Sequence, residues 1–239
     1  MMRLIFAFLL LVLPRVAAAG DVAIAVASNF LTTAEELARK FEEDTGHAVT
    51  ISHGATGQLF TQIDAGAPFD VFLAADAKRP ELLVQSGKAS EAATYALGKL
   101  VLAGSTDITR DSASDVIDGR TVALADPTVA PYGLASTAAM ERLKLDTATF
   151  RPVLVANVGQ VATVFASGNA DFAFVSAAQV PLLNPAAVLE LNGLHPPITQ
   201  DAALLTQASD NDAAAAFWEW LFSDDATSLI ARSGYDLPE

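Results

Sequence analysis

Ile51-Ser52-His53-Gly54-Ala55-Thr56-Gly57-Gln58-Leu59-Phe60 reads as the end of a strand, a glycine-flanked turn and the start of a helix. Thr56 falls between two glycines that let a backbone approach a guest closely, just ahead of an apolar-periodic run. Its hydroxyl and the first free N–H groups of the helix then face one point, which outlines a small anion pocket. Turns capped by Ser or Thr occur in every α/β protein, so the reading depends on finding more turns of this kind.

Working outward, Val22 to Ala27 is a short apolar run ending at Ser28-Asn29, a buried strand. Leu31, Ala34, Leu37, Ala38 and Phe41 follow at helical spacing up to Gly46. Ala48 to Ser52 is the next strand, Gly57 to Ala65 a helix and Val71 to Ala74 a third strand. Arg79 to Ser86 is a further short helix. Strands alternating with helices across short loops predict parallel sheets with right-handed crossovers.

Leu97 to Ala103, apolar and flanked by glycines, reads as a crossing into a second lobe. There the alternation resumes: strands over 121–125, 152–155 and 172–175, helices over 134–143, 159–166 and 177–183. Pro196-Pro197 breaks the pattern, Ile198 to Thr206 runs back as a strand, and 211–222 and 224–233 are helical. Phe217, Trp218 and Leu221 are assigned to core packing. The expected organisation is a first lobe over 20–98, rejoined by 205–239, and a second lobe over 99–204. Two hinge strands join these mainly parallel, helix-flanked sheets, and a ligand crevice lies at the strand C-termini.

Ahead of the first lobe, Met1 to Ala19 has a basic start at Arg3, an apolar core from Leu4 to Leu13 and a small-residue Ala17-Ala18-Ala19 end. It is read as a secretory signal, which predicts export to the periplasm. Its removal takes Arg3 and Arg15 away and leaves 12 basic residues against 28 acidic ones. A chain this acidic offers no footprint for nucleic acid or for an anionic membrane, and it is not expected to be membrane-embedded. Zero cysteines exclude a disulfide framework, a thiol nucleophile and Cys-ligated metal. Apolar residues make up 52% of the sequence, enough for a core without such staples.

Four strand-to-helix junctions can now be set side by side. Ala27-Ser28-Asn29-Phe30 and Gly54-Ala55-Thr56-Gly57 belong to the first lobe, Ala130-Pro131-Tyr132-Gly133 and Asn157-Val158-Gly159-Gln160 to the second. All four should face the cleft. Each helix start carries roughly half a positive charge, so four supply on the order of two without any Lys or Arg. None of the four stretches contains a charged residue. Neutral donors select a fully deprotonated oxyanion, because a protonated one would leave its own O–H without an acceptor.

These junctions, with Gly66-Ala67-Pro68-Phe69-Asp70-Val71-Phe72-Leu73-Ala74-Ala75-Asp76 and Tyr95-Ala96-Leu97-Gly98-Lys99-Leu100-Val101-Leu102, resemble in order the signature runs of periplasmic molybdate-binding proteins. The resemblance spans nearly the whole mature chain. It implies a type II periplasmic binding-protein fold that holds molybdate or tungstate between its lobes for the permease of an ABC transporter. It further implies that Ser28 and Thr56 donate hydroxyls and N–H groups, with Asn29 donating beside Ser28, and that Tyr132 and Val158 donate backbone N–H groups. These residues would then hold the molybdate oxygens, with no direct bond to the metal and no separate cofactor; the protein would act as a monomer. Two departures stand out. Thr56 replaces the family's common Ser, and Ser176 stands where some members present a Tyr hydroxyl, which makes Ser176 a possible further contact.

Other readings compete. Sulfate is also a tetrahedral dianion, separated from molybdate only by cavity size. Phosphate would call for an acceptor carboxylate. A ferric site is disfavoured because Tyr95, Tyr132 and Tyr235 fall in unrelated stretches. An enzyme on this fold lacks a Gly-x-Ser-x-Gly elbow, a His-Glu-x-x-His pair and a phosphate loop. A receptor-docking sensor is a third class. Asp70, Asp76 and Asp126 are read as partners of loop N–H groups rather than metal ligands, His53 as a solvent-facing loop residue.

Overall fold

The computed structural model describes residues 20–238; the expected signal segment, Met1 to Ala19, lies outside them. The chain opens with β1 (Asp21–Ala27), a turn of 3-10 helix (Ser28–Phe30) and α1 (Leu31–Thr45), followed by β2 (Ala48–Gly54) and α2 (Thr56–Asp64). β3 (Val71–Leu73), α3 (Lys78–Gln85) and β4 (Ala89–Gly98) complete this stretch. The next elements are β5 (Leu100–Gly104), α4 (Ala113–Ile117), β6 (Thr121–Ala125), α5 (Pro131–Leu143), β7 (Arg151–Val155) and α6 (Val158–Ala166). After β8 (Phe172–Ser176), α7 (Val180–Leu183) and β9 (Ala187–Glu190), the chain ends with β10 (Ile198–Leu205), α8 (Asp212–Leu221) and α9 (Asp224–Arg232).

Two five-stranded sheets result, ordered β2-β1-β3-β10-β4 and β7-β6-β8-β5-β9. This is the two-lobed type II arrangement, with one qualification. Each sheet is mixed: β1 pairs in parallel with β2 and β3, and β6 with β7 and β8, while β10 and β5 each make two antiparallel pairings. The parallel triplets carry the strand-to-helix turns, and the antiparallel strands carry the connections between lobes.

The first crossing passes from β4 through Lys99 into β5. The return starts at Ile198, because β10 pairs along its length with β4 and also with β3. Residues 198–204, expected in the second lobe, therefore stand in the first sheet. Alternation explains how: Ile198, Gln200 and Ala202 are buried on this two-sided strand, so its pattern fits a central position in the first sheet.

The first sheet is covered on both faces. Val22, Ile24 and Val26 of β1 pack with Leu37 and Phe41 of α1 and Phe217, Leu221 and Ile230 of α8 and α9. Ala25 and Phe72 on the opposite face meet Leu59, Ile63 and Leu83 of α2 and α3. Burying each of the larger side chains contributes roughly 1.5–3 kcal/mol. Such packing holds the C-terminal ends of β1 and β2 rigidly behind the turns that follow them.

Candidate functional site

The four junctions meet. A small cavity of about 10 Å³ lies between the lobes, bounded on one side by residues 27–29, 54–56 and Ala75 and on the other by residues 130–132, Asn157 and Val158. Every one of these lining residues is uncharged. The helices begin slightly earlier than their apolar periodicity predicts, with Thr56 and Val158 as the first helical residues and Tyr132 directly after Pro131. The candidate residues thus occupy first turns, where backbone N–H groups have no partner four residues back.

Those N–H groups remain free. α1, α2 and α5 have no side-chain cap, whereas α6 is capped by Asn157, which accepts from Gln160 N–H. Among the described residues, the N–H groups of Thr56, Tyr132 and Val158 have no hydrogen-bond partner. Donors of this kind converging on a buried point carry a positive potential without a titratable group.

Both hydroxyls are fixed as donors by what they accept. Thr56 Oγ1 takes the N–H of Ala75 at 3.2 Å, and Ser28 Oγ takes the N–H of Gly159 at 3.1 Å. With a lone pair engaged from behind, each O–H is left to point elsewhere. The cavity is what adjoins them both.

The lobes touch around this cavity. Gly57 N–H donates to Val129 O across the cleft at 2.9 Å, and the Gly159–Ser28 bond crosses it on the other side. The glycines permit the approach: a Cβ on Gly57 would come within 3.0 Å of Val129 O, and one on Gly159 within 3.1 Å of Ser28 Cβ.

Asn29 and Ser176 sit differently from Ser28 and Thr56. The Asn29 carboxamide turns away from the cavity, donating to Gln200 Oε1 at 2.8 Å and to Tyr235 at 3.3 Å, so only its main chain faces the guest side. Ser176 is buried behind the site, does not line the cavity, and its Oγ accepts from the Tyr132 phenol at 3.1 Å. The short Ser side chain stands behind Tyr132 and outside the cavity lining, so the structure does not bring it to the guest side with the other candidates. His53 is exposed and outside the lining.

The three tyrosines, far apart in sequence, converge at the back of the site. Tyr95 donates to Ala74 O at 3.0 Å, Tyr132 to Ser176 and Tyr235 to Asn29 O at 2.7 Å. The reason given against a ferric site, their dispersal, therefore fails. Their hydroxyls are nonetheless committed to the protein, and no group of three or more His, Asp or Glu gathers among the described residues. Asp70 accepts from Ala23 N–H, Asp76 from Arg79 N–H, and Asp126 from Thr128 N–H and Oγ1, the loop roles expected of them. The Thr128 hydroxyl and N–H hold the Asp126 carboxyl below the usual carboxylate range.

A larger open groove lies outside the Gly57–Val129 contact. It is lined by Phe60, Leu134 and Pro197 and contains the Asp76–Arg79 ion pair. Lys78 lines it as well, and its walls are largely apolar; the converging first-turn N–H groups and the two hydroxyls border the inner cavity instead.

Known proteins share this fold and much of this sequence. A family model described as bacterial extracellular solute-binding protein matches residues 22–236. The molybdate-binding protein ModA of Rhodobacter capsulatus is 41% identical over 226 residues, 92% of this chain and 89% of that one. Its counterpart from Azotobacter vinelandii is 38% identical over 231 residues, 92% of each. The solved Azotobacter vinelandii periplasmic molybdate-binding protein superposes with a TM-score of 0.84 at 37% identity, covering 91% of this chain and all of that one.

The chain belongs to the molybdate-binding proteins of the bacterial extracellular solute-binding family.

Residues that sequence reasoning missed for this family member are those acting at long range. Ala75 and Gly159 orient the two hydroxyls, Val129 closes the cleft, and Gln200 and Tyr235 anchor Asn29. Ala75 and Gly159 lie inside signature stretches, which was the one available signal. Val129, Gln200 and Tyr235 carry none. No helix among the described residues is long and apolar enough to cross a membrane.

Proposed function

We propose that this chain, exported and monomeric, captures molybdate between its lobes in the periplasm and passes it to the permease of an ABC transporter, with tungstate accepted at the same site. Ser28 and Thr56 donate hydroxyls, and Asn29, Thr56, Tyr132 and Val158 donate backbone N–H groups, to the oxygens of the guest. One observation carries the assignment of these residues: free first-turn N–H groups and anchored hydroxyls from both lobes line a cavity without a charged side chain. A dianion there gains the helix-terminus potential and four or more charge-assisted hydrogen bonds, and no counter-charge has to be desolvated.

Discrimination follows from the same donors. Hydrogen phosphate would bring an O–H for which the lining offers no carboxylate acceptor, at a cost of about 1–3 kcal/mol. Sulfate meets no such penalty and is the rival to exclude by fit. A calorimetric series with molybdate, tungstate, sulfate and phosphate tests the assignment. Tight binding of the first two with weak or absent binding of the others is expected. Preference for sulfate would replace the guest, and no heat with any of the four would remove the anion reading.

A further inference from the structure

Tyr132 faces two ways. Its N–H opens into the cavity, while its phenol runs behind the cavity to the place where the chain passes between lobes. A Cβ built on Gly98 would lie 2.4 Å from the Tyr132 phenol oxygen, 3.0 Å from Gln200 Nε2 and 3.1 Å from Ile198 Cγ2. Gly98 ends β4 and Ile198 begins β10, and the two are register partners. The two connections between lobes therefore run side by side here, with the phenol seated against them.

Glycine at position 98 is not explained by backbone conformation, since Gly98 is not among the residues of positive φ. Space explains it: a methyl group would occupy the seat of the phenol oxygen. The surroundings are polar and buried. Gln200 is fully buried, its Oε1 holds the Asn29 carboxamide, and its Nε2 has no partner among the described residues. Ser176, which receives the Tyr132 hydroxyl, is the register partner of Leu100, the first residue after the crossing. One side chain of the second lobe thus meets the first connection at Gly98 and, through its own main chain, the cavity.

We propose that Tyr132 is a positioning residue that couples lobe closure to capture: its phenol seats in the notch at Gly98 as the lobes shut, and this fixes the angle at which the first turn of α5 meets the guest. Ser176 orients the phenol, and Gly98 leaves it room. The binding arm of the test rests on the oxyanion reading above; the scattering arm does not.

Wild type, Gly98→Ala, Tyr132→Phe and the double variant are compared by calorimetry with molybdate and by small-angle X-ray scattering with and without it. Gly98→Ala is expected to bind roughly tenfold or more weakly, because closure is opposed by a steric clash, and to keep a larger radius of gyration. Tyr132→Phe loses only the Ser176 partner and weakens binding a few-fold. In the double variant the closest clash, with the phenol oxygen, is gone and only the 3.0 Å and 3.1 Å contacts with Gln200 Nε2 and Ile198 Cγ2 stay tight, so affinity recovers most of the way to that of Tyr132→Phe. That rescue separates a seated phenol from a merely structural residue. Unchanged affinity and dimensions in Gly98→Ala, or losses that multiply in the double variant, would overturn the proposal. Should Gly98→Ala not fold, Ser176→Ala is expected to show the same few-fold loss as Tyr132→Phe, and wild-type affinity in Ser176→Ala would count against it. If wild type binds none of the oxyanions, the function reading fails by itself. The unliganded scattering profiles then decide, with identical profiles for wild type and Gly98→Ala sinking the notch.

Discussion

Ser28 and Thr56 present the same chemical group to the same cavity, but different lobes hold them. Thr56 Oγ1 is anchored by Ala75 N–H, from its own lobe, so its O–H is aimed whether or not the second lobe is near. Ser28 Oγ is anchored by Gly159 N–H, at the start of α6 in the opposite lobe, so its aim is completed only when the cleft is shut. One donor is prepared in advance, and the other is assembled by closure. The free energy of the second therefore includes part of the open-to-closed difference, which a guest must supply.

The two hydroxyls should respond differently to removal. Ser28→Ala deletes a charge-assisted hydrogen bond to the guest and also leaves Gly159 N–H unpaired in the closed form alone. Both losses fall on binding, so the expected cost is about 3 kcal/mol, roughly a hundred-fold in Kd, with the melting temperature of the unliganded protein unchanged. Calorimetry paired with thermal unfolding of the unliganded protein reads both quantities. A lowered melting temperature without ligand would show that Ser28 is as prepared as Thr56.

Thr56→Val keeps the shape and removes the hydroxyl. Ala75 N–H then lacks its partner in open and closed forms alike, so that loss cancels from binding and appears as stability. Affinity should fall by about 2 kcal/mol, and the unliganded melting temperature by about 4 °C. The same two measurements apply, and an affinity loss larger than that of Ser28→Ala would reverse the ranking. A smaller effect is expected at Gly159→Ala, where the new methyl would lie 3.1 Å from Ser28 Cβ. That is tight rather than impossible. Affinity should drop by about 1 kcal/mol, read as a faster off-rate in stopped-flow displacement with the on-rate little changed.

The anticipatory half of this contrast was legible in the sequence, and the closure-dependent half was not. Thr56 could be read because its strand, its glycines and its helix are consecutive, and local pattern reports local geometry. Gly159 to Ser28 spans 131 positions and Tyr132 to Ser176 spans 44, and no periodicity encodes such pairs. The same limit explains the fold-level misses. Ala89-Ser90-Glu91-Ala92-Ala93-Thr94, the first part of β4, is short in β-branched and aromatic residues and becomes a strand through its pairing with β10 at the sheet edge. β9 is a four-residue edge strand, and α4 is little more than one turn. Tyr95, Tyr132 and Tyr235 were counted as scattered because distance along the chain was the only distance available. In the folded protein Phe30 packs edge-on against Tyr95 and Tyr235, and polar contacts through Gln200 and Asn29 join their hydroxyls.

The smallest effect predicted for binding is that of pH, and its smallness is informative. No lining residue titrates near neutrality, since the lining is made of small apolar residues, Ser28, Thr56, Asn29 and Asn157, with the Tyr132 phenol behind it. Burial pushes that phenol well above its ordinary value, so it stays protonated across the working range. Affinity for a fully ionised guest should accordingly stay flat between about pH 6 and pH 9, where a site using His or Lys would not. Stability is another matter. Burial raises Tyr95, Tyr132 and Tyr235 together, so the folded state holds phenol protons that the unfolded chain releases. The unfolded state then binds fewer protons, and stability must fall as pH rises above the unfolded tyrosine value of about 10. Thermal unfolding from pH 8 to 11 should show this decline, and Tyr132→Phe should reduce its slope. A pH-dependent affinity below pH 9, with the melting temperature constant, would place a titrating group at the guest after all, and would end the distinction between a neutral front and a tyrosine-lined back.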